Sequence, residues 1–420
     1  MEFIEVALPH THTKGYKYRI YPTKLEEQYL LQVFGTVRYI YNYCLDKHTK
    51  AYEAFKADPT LPAPKAYAGE YYKWHTEARD QQAEAAKLDP EQEAWLGIAP
   101  AMAVIGKLRH LEQAFKNTFR RIKLGDKPGF PSFKSRDSKQ SMTLSGPAFR
   151  VQDGRLWLAK LPSTIKVKWS RELPSEPSSV TVSRTPSGEY YASFVCKYTP
   201  VRLPQLTTEV GIDVGVRTFA TLSTGEKIAS PRHYQILQKR QARLQRKLAK
   251  QTKGSNSSKR TRTTLARTYA KVTNQRHDFQ HKVTTKLISE NQVICIEDLN
   301  VQGMVKNRNL AKSIITSGFT TFFNYLEYKA KEQHRQIVKA PRFFPSTNLC
   351  SCCHKQPSEK IKLSVKTWAC EYCGAILDRD VNAAKNLLYV ADQSRHVWST
   401  SLKTVFSAPI TMIMYQARTA

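Results

Sequence analysis

No run of apolar residues in this sequence approaches the roughly 20 needed to cross a bilayer. The first residues, Met1-Glu2-Phe3-Ile4-Glu5-Val6, lack the basic start and apolar core of a secretory leader. The expectation is a chain with no membrane partner. Acids are scarce as well: 35 Asp and Glu stand against 66 Lys and Arg in 420 residues, a formal net charge of +31. An excess of that size calls for a polyanion, and nucleic acid or an anionic membrane surface are the usual candidates. Cysteine is sparse and unevenly placed. Of eight, Cys44, Cys196 and Cys295 lie far apart in apolar surroundings and the other five fall between positions 350 and 373. That pattern excludes a disulfide framework and fits a metal site in a reducing compartment. No Gly-rich loop ending in Gly-Lys-Ser/Thr is present, which excludes a P-loop nucleotide-hydrolysing motor. Internal repeats and long low-complexity tracts are absent too.

What is present concentrates near the end of the chain. Cys350 and Cys353 form one Cys-x-x-Cys pair, and Cys370 and Cys373 form another. Two such knuckles, separated by a loop of ribbon-hairpin length, can place four thiolates around one zinc at about 2.3 Å. A site with four thiolates is closed to substrate and water, so it is structural. Chemistry must then come from carboxylates. Asp213 lies inside the apolar strand Val210–Val216, and Glu297 ends the apolar strand that starts at Val293. Asp380 opens a helix whose Ala383, Ala384, Leu387 and Leu388 mark one apolar face. A carboxylate in an apolar strand is costly unless a cation compensates it. Three of them point to one shared divalent-metal site. Asp380 also has a plainer explanation, since Asp and Asn cap helices.

These stretches form an ordered set: Gly-Ile-Asp-Val-Gly-Val at 211–216, Ile-Glu-Asp-Leu-Asn-Val at 296–301, Phe344-Pro345-Ser346-Thr347, and Asp-Arg-Asp-x-Asn-Ala-Ala at 378–384. The set resembles the TnpB (OrfB) family, insertion-sequence proteins related to the compact type V CRISPR effectors. The resemblance covers nearly the whole chain and is densest from Val210 to Leu388. It implies a multidomain α/β protein whose RuvC nuclease, of ribonuclease H fold, is split by a zinc ribbon. It also implies that Asp213, Glu297 and Asp380 are catalytic acids that bind Mg²⁺. Asp378 is the rival for the third place. A further implication is a guide RNA from the transposon end and a double-stranded DNA target, in the cytoplasm at the prokaryotic nucleoid. The chain departs from the family where Gly usually follows the first knuckle: His354 stands there, and Cys352 lies within the knuckle. Either could disturb the ligand set.

Taken in order, residues 16–21 alternate as a strand, and Thr23 with Glu26 fits a capping box. A helix follows with Leu30, Val33, Phe34, Val37, Tyr41 and Cys44 on one face. A second has Val104, Leu108, Leu111, Phe115, Phe119 and Ile122, ending on the basic Arg120 and Arg121. After a Gly/Pro break at 125–131, strand signals dominate to 198, with Asp153-Gly154 as a hairpin turn. With the domain names that the resemblance implies, the expected organisation is wedge (1–22), helical recognition bundle (23–125), wedge β-barrel (126–199), and nuclease (206–345). A zinc ribbon (346–376), the nuclease's last part (377–392) and a peripheral tail (393–420) complete it. From Lys239 to Lys282 there are fourteen Lys or Arg and one acid, Asp278. So one-sided a run reads as a phosphate track, with Lys239, Arg240, Arg243, Arg246, Lys247 and Lys250 as its first members.

Other mechanisms fit less well. Tyrosine transposases need a His-hydrophobic-His metal pair, and the nearest candidate, His10-Thr11-His12, has a polar centre. The main rival is a zinc-ribbon DNA-binding regulator with an inactive nuclease fold. Intact acids at all three positions argue against it. A nuclease that needs no guide is also compatible with the residues, because base pairing leaves no motif in a protein.

Overall fold

The computed structural model describes residues 11–89, 94–137, 139–201, 203–231, 233–342, 344–362 and 364–390, with only the backbone for 233–235. The expected tail, residues 391–392 of the nuclease's last part and residues 1–10 of the wedge lie outside the described residues. The chain divides into two compact units. One runs to Thr199 and includes Lys259–Arg267; the other takes Pro200–Ser258 and continues from Thr268.

In the first unit, strand β1 (His12–Tyr21) stops at Pro22 and helix α1 (Lys24–Ala57) starts with the expected capping box. The Glu26 N–H donates to the Thr23 hydroxyl at 3.4 Å, and the Thr23 N–H donates to the Glu26 carboxylate at 2.8 Å. These bonds satisfy donors that a helix start leaves open. The expected apolar face of α1, from Leu30 to Cys44, is buried. Helices α2 (Ala68–Leu88) and α3 (Ala101–Lys123) pack beside it. Val104, Leu108, Leu111 and Phe115 are buried, but Phe119 and Ile122 are 52% and 49% exposed. The periodicity of α3 therefore outruns its core, and the helix projects its basic last turn into solvent.

Strands β2 (Gln140–Ser145), β3 (Phe149–Gln152), β4 (Arg155–Leu158), β5 (Thr164–Lys168), β6 (Ser179–Arg184) and β7 (Tyr190–Tyr198) join β1 in one antiparallel sheet. Its order is β2-β6-β7-β1-β5-β4-β3, so β1 is central although it comes first in sequence. Asp153 and Gly154 turn β3 into β4 with φ of 50° and 69°, the left-handed pair that a tight two-residue hairpin needs. Strand β2 was not legible in the sequence because only Met142 and Leu144 break its polar run.

The second unit is built on β8 (Glu209–Val214), β9 (Thr218–Leu222), β10 (Lys227–Ala229), β11 (Val293–Glu297) and β12 (Gln336–Ala340), in the order β10-β9-β8-β11-β12. The β10-β9-β8 pairs are antiparallel, and β8-β11-β12 are parallel. Helices α4 (His233–Ala249) and α5 (Asn256–Glu290) precede β11; α6 (Val301–Val305), α7 (Arg308–Ser317) and α8 (Phe319–Gln333) follow it. A small antiparallel hairpin, β13 (Thr367–Ala369) and β14 (Ile376–Asp378), leads directly into helix α9, at 379–390. Strand alternation sends Val210, Ile212, Ile294 and Ile296 to one face, against Phe319, Phe322 and Leu326. Val293 and Cys295 point to the other, with Ala340 and Leu387. By the same alternation Gly211, Asp213 and Glu297 fall on this second face, which α9 covers.

Candidate functional site

The parallel register aligns Ile212 of β8 with Ile296 of β11. Asp213 and Glu297 are the next residues of each strand, so two carboxylates leave neighbouring strand ends on one face. The close approach of α9 is set by Gly211. A Cβ built there would stand 1.9 Å from the Ala384 carbonyl oxygen and 3.0 Å from the Leu388 nitrogen. Only a residue without a side chain lets the helix backbone lie on the strand. Ala383 and Ala384, both buried, keep the helix side equally flat. This contact places the start of α9 over the Asp213 end of β8.

Asp213 feels the result. Burial, then Glu297, then Asp380 push its carboxyl from 3.8 up to about 8, against the weaker pull of Arg379 and Lys366. Mutual repulsion among carboxylates in a desolvated place is what a cation relieves. Asp380 is held differently. Lys366 donates to Oδ2 at 2.9 Å and Arg379 to Oδ1 at 3.0 Å. Burial works against its charge, but these two cations outweigh it and keep the group below the ordinary carboxylate range. Glu297 accepts from the Ser346 hydroxyl at 2.7 Å. A cleft of about 510 Å³ is lined by Asp213 and Asp380 with Arg217, Thr347, Lys366 and Arg379. Glu297 lines a separate cleft of about 450 Å³ with Asp298, Asn300, Lys339 and Arg342. The three carboxylates do not all come within 4.8 Å of one another; among the described residues only the four cysteines form such a group. As hard oxygen donors with unbalanced charge at Asp213, the three acids fit Mg²⁺.

Asp378 has a structural task. Its Oδ1 accepts from the N–H groups of Asp380 and Val381, both at 3.1 Å, and its Oδ2 pairs with Lys227 at 2.7 Å. This is an N-cap of α9, and it leaves Asp380 as the acid that faces Asp213.

The ribbon and α9 are held together by two asparagines that the sequence reading did not single out. Asn382 and Asn386 stand four apart on one helix face and are 1% and 0% exposed. Asn382 donates to the Leu349 carbonyl at 2.7 Å and accepts from the Ser351 N–H at 2.8 Å. Asn386 donates to the Ser346 carbonyl at 2.8 Å and to Leu349 at 2.6 Å. The clasp thus fixes Ser346, the partner of Glu297, and the chain entering the first knuckle. A pair of Asn at i and i+4 was the available signal, masked by the capping role Asn usually has.

The four cysteine sulfurs lie within 4.8 Å of one another, with Cys350–Cys373 at 3.7 Å and Cys353–Cys370 at 3.6 Å. Tetrahedral thiolates about 2.3 Å from one zinc stand about 3.8 Å apart, so the cluster fits that metal. The two knuckles share one turn. The residue after each, His354 or Gly374, has φ of 55° or 70° and donates its N–H to Cys350 or Cys370. His354 therefore occupies a left-handed position that favours glycine, and its ring stacks on Tyr389 of α9 at 3.8 Å. Neither it nor the exposed Cys352 joins the sulfur cluster.

Lys239, Arg243, Arg246 and Lys247 of α4, with Lys250 just past its end, line one open groove of about 1050 Å³ together with Lys312 of α7. Their spacing of 4, 3, 1 and 3 residues is that of a single helix face. Arg240 is not among the lining residues. Arg120 and Arg121 are exposed in the last turn of α3, within the other unit.

Residues 193–308 match the OrfB_IS605 family, described as "Probable transposase", and residues 319–387 match the Cas12f1-like TNB domain. A helix-turn-helix domain family matches residues 12–57, although that stretch folds as strand β1 and the single helix α1. Two curated relatives carry the name "Putative RNA-guided DNA endonuclease". The one from Streptomyces pristinaespiralis is 37% identical over 378 residues, covering 89% of this chain and 88% of its own. The other, InsQ of Escherichia coli (strain K12), is 28% identical over 394 residues, covering 89% and 91%. Among solved structures, a chain of a Cas12f1–sgRNA–target DNA complex aligns with a TM-score of 0.47 at 15% identity, over 90% of this chain and 98% of that one. Identity above one third, sustained over nearly nine-tenths of both chains in the first of these relatives, settles the matter: the protein belongs to the TnpB (OrfB) family.

Proposed function

We propose that the protein is an RNA-guided DNA endonuclease of an insertion sequence, which hydrolyses target phosphodiesters at Asp213, Glu297 and Asp380. The observation that carries the reading is the convergence of Asp213, Glu297 and Asp380 on one face of the sheet, strong enough to raise the Asp213 pKa to about 8. The strand order, antiparallel on one side of β8 and parallel on the other, supports a RuvC-type, ribonuclease H-like assignment. Mg²⁺ held by the three acids would supply an activated water and stabilise the leaving oxygen. The chain's own groups do the rest. Lys366 and Arg379 hold Asp380 ionised and put positive charge on the cleft wall where a scissile phosphate is to lie. The α4 face holds a backbone at a distance from the chemistry, each neutralised phosphate adding about 0.9 to the salt slope on a duplex. Zinc on Cys350, Cys353, Cys370 and Cys373 is structural, since four thiolates leave no open position.

The partners on this reading are a guide RNA from the transposon end and a matched DNA duplex. The first unit supplies the wedge (residues 1–22 and 126–199) and the recognition bundle (23–125), and the second supplies the nuclease and ribbon. Among the described residues no helix is long and apolar enough to cross a membrane. On the guided reading the place of action is the cytoplasm, at the nucleoid. The inactive-regulator reading finds no support, because no acid is lost. The test is to co-express the protein with its flanking transposon-end sequence and assay matched and unmatched duplexes with Mg²⁺. Cutting is expected only with RNA and only of the matched duplex. RNA-free protein that cuts both alike overturns the guided reading.

A further inference from the structure

Within the first unit, five cations gather without a counterion. Arg38 comes from α1, Lys107 from α3, and Lys134, Arg136 and Lys139 from the connection that precedes β2. Lys107 is half-buried and feels Lys134, Arg38 and Lys139; Arg38 feels Arg136. Lys17 of β1 and His110 of α3 are likewise pushed by Lys139. Among the described residues, none of the five enters an ion pair. A charge crowd of this kind lowers stability and gives the fold nothing in return.

The crowd is nonetheless built to stay in place. The ammonium groups of Lys107 and Lys134 both lie over the ring of the buried Tyr41, 5.9 and 5.3 Å from its centroid. Asn42 grips the Lys134 backbone twice, accepting its N–H at 2.8 Å and donating to its carbonyl at 3.0 Å. Arg38 is aimed by a bond to the Gln140 side chain at 2.9 Å. Burial, followed by Lys134, Arg38 and Lys139, draws Lys107 down to about 8, a cost to its charged form that a bound anion would relieve. Solvated surface lysines would not be pinned in this way; cations destined for a multiply charged ligand would.

We propose that Arg38, Lys107 and Lys134 form a phosphodiester clamp, a preorganised seat for the backbone phosphates of a nucleic acid, borne by residues other than those of the α4 face. It rests on the RNA-guided reading only for the identity of the strand, guide RNA or target duplex. The test uses Lys107→Gln, Lys134→Gln and the control Lys134→Arg in two arms. The first measures retention of co-expressed RNA against salt, and the second measures binding of a matched duplex by RNA-loaded protein. Each Gln variant is expected to flatten the salt dependence in one arm, by about 0.7 on single strands or about 0.9 on a duplex per phosphate released. That arm names the strand, and Lys134→Arg keeps the wild-type slope. If Lys107→Gln fails to fold, Lys134→Gln carries the test alone. Unchanged slopes in both arms overturn the clamp. Neither arm reads cleavage, so a protein that binds but does not cut under guidance defeats the functional reading and leaves the clamp standing.

Discussion

Replacing Asp213 by Asn should make the magnesium-free protein more stable while abolishing its cleavage. The carboxyl rises from 3.8 to about 8 on folding, through burial and then through Glu297 and Asp380. A raised acid contributes most below its unfolded value, and that contribution is lost as pH climbs towards the folded one. Between pH 4 and 8 the wild type therefore weakens by about 1.4 kcal/mol for each pH unit on account of this group. At pH 7 the accumulated cost is about 4 kcal/mol, and Asn has none of it. For a unit of this size that is roughly 10 °C in melting temperature. The assay is thermal unfolding of zinc-loaded, magnesium-free protein from pH 5 to 8, wild type beside Asp213→Asn. The gap should be small at pH 5 and widen steadily to pH 8. Added Mg²⁺ should raise the wild type and leave the variant unmoved, as binding to the folded state alone stabilises by mass action. Equal melting temperatures at pH 7, with a gap that ignores pH, would refute the shared field at the three carboxylates.

Three further outcomes follow from the same geometry. Gly211→Ala adds a methyl group 1.9 Å from the Ala384 oxygen, so α9 must move and cleavage should fall at least 100-fold with RNA retention intact; activity near wild type would show that the helix position is uncritical. Asp378→Ala removes an N-cap, a loss of about 1 kcal/mol, and should leave activity within tenfold of wild type, whereas Asp380→Ala should leave none; the reverse order would exchange their roles. Cys370→Ser should release zinc by elemental analysis and, through the asparagine clasp, reduce cleavage as well. Full activity without zinc would disconnect the ribbon from the chemistry.

Much of this was legible before any coordinates. Period-two and period-three-to-four patterns marked β1 and α1, because each buries one face, and β8 and β11 showed as apolar runs because both their faces are covered. The capping box at Thr23 and the Asp153-Gly154 turn were readable because their chemistry is local. Other features were not. Asn382 and Asn386 act on a segment more than thirty residues earlier, and nothing in their neighbourhood reveals it. The need for Gly211 comes from a helix more than 170 residues later in the chain, which nothing near it announces. Phe119 and Ile122 kept a helical period beyond the end of their core, which periodicity alone cannot detect. His354 looked like a disturbance to the ligand set, yet it adopts the left-handed turn of the glycine it replaces.

The direct passage from β14 into α9, with the asparagine clasp across it, has a consequence for inhibition. A strong chelator acting on such a protein would silence it in two kinetic phases. The first would be immediate and reversed by returning magnesium. The second would be slow, timed by escape of the sulfur-bound ion, and restored only by zinc followed by refolding of the Ser346–Ser351 entry. Oxidants that attack the exposed Cys373 would produce the second phase without the first. Loss of nuclease activity would then report on the redox history of the ribbon, and the rate of recovery would tell which ion had been taken.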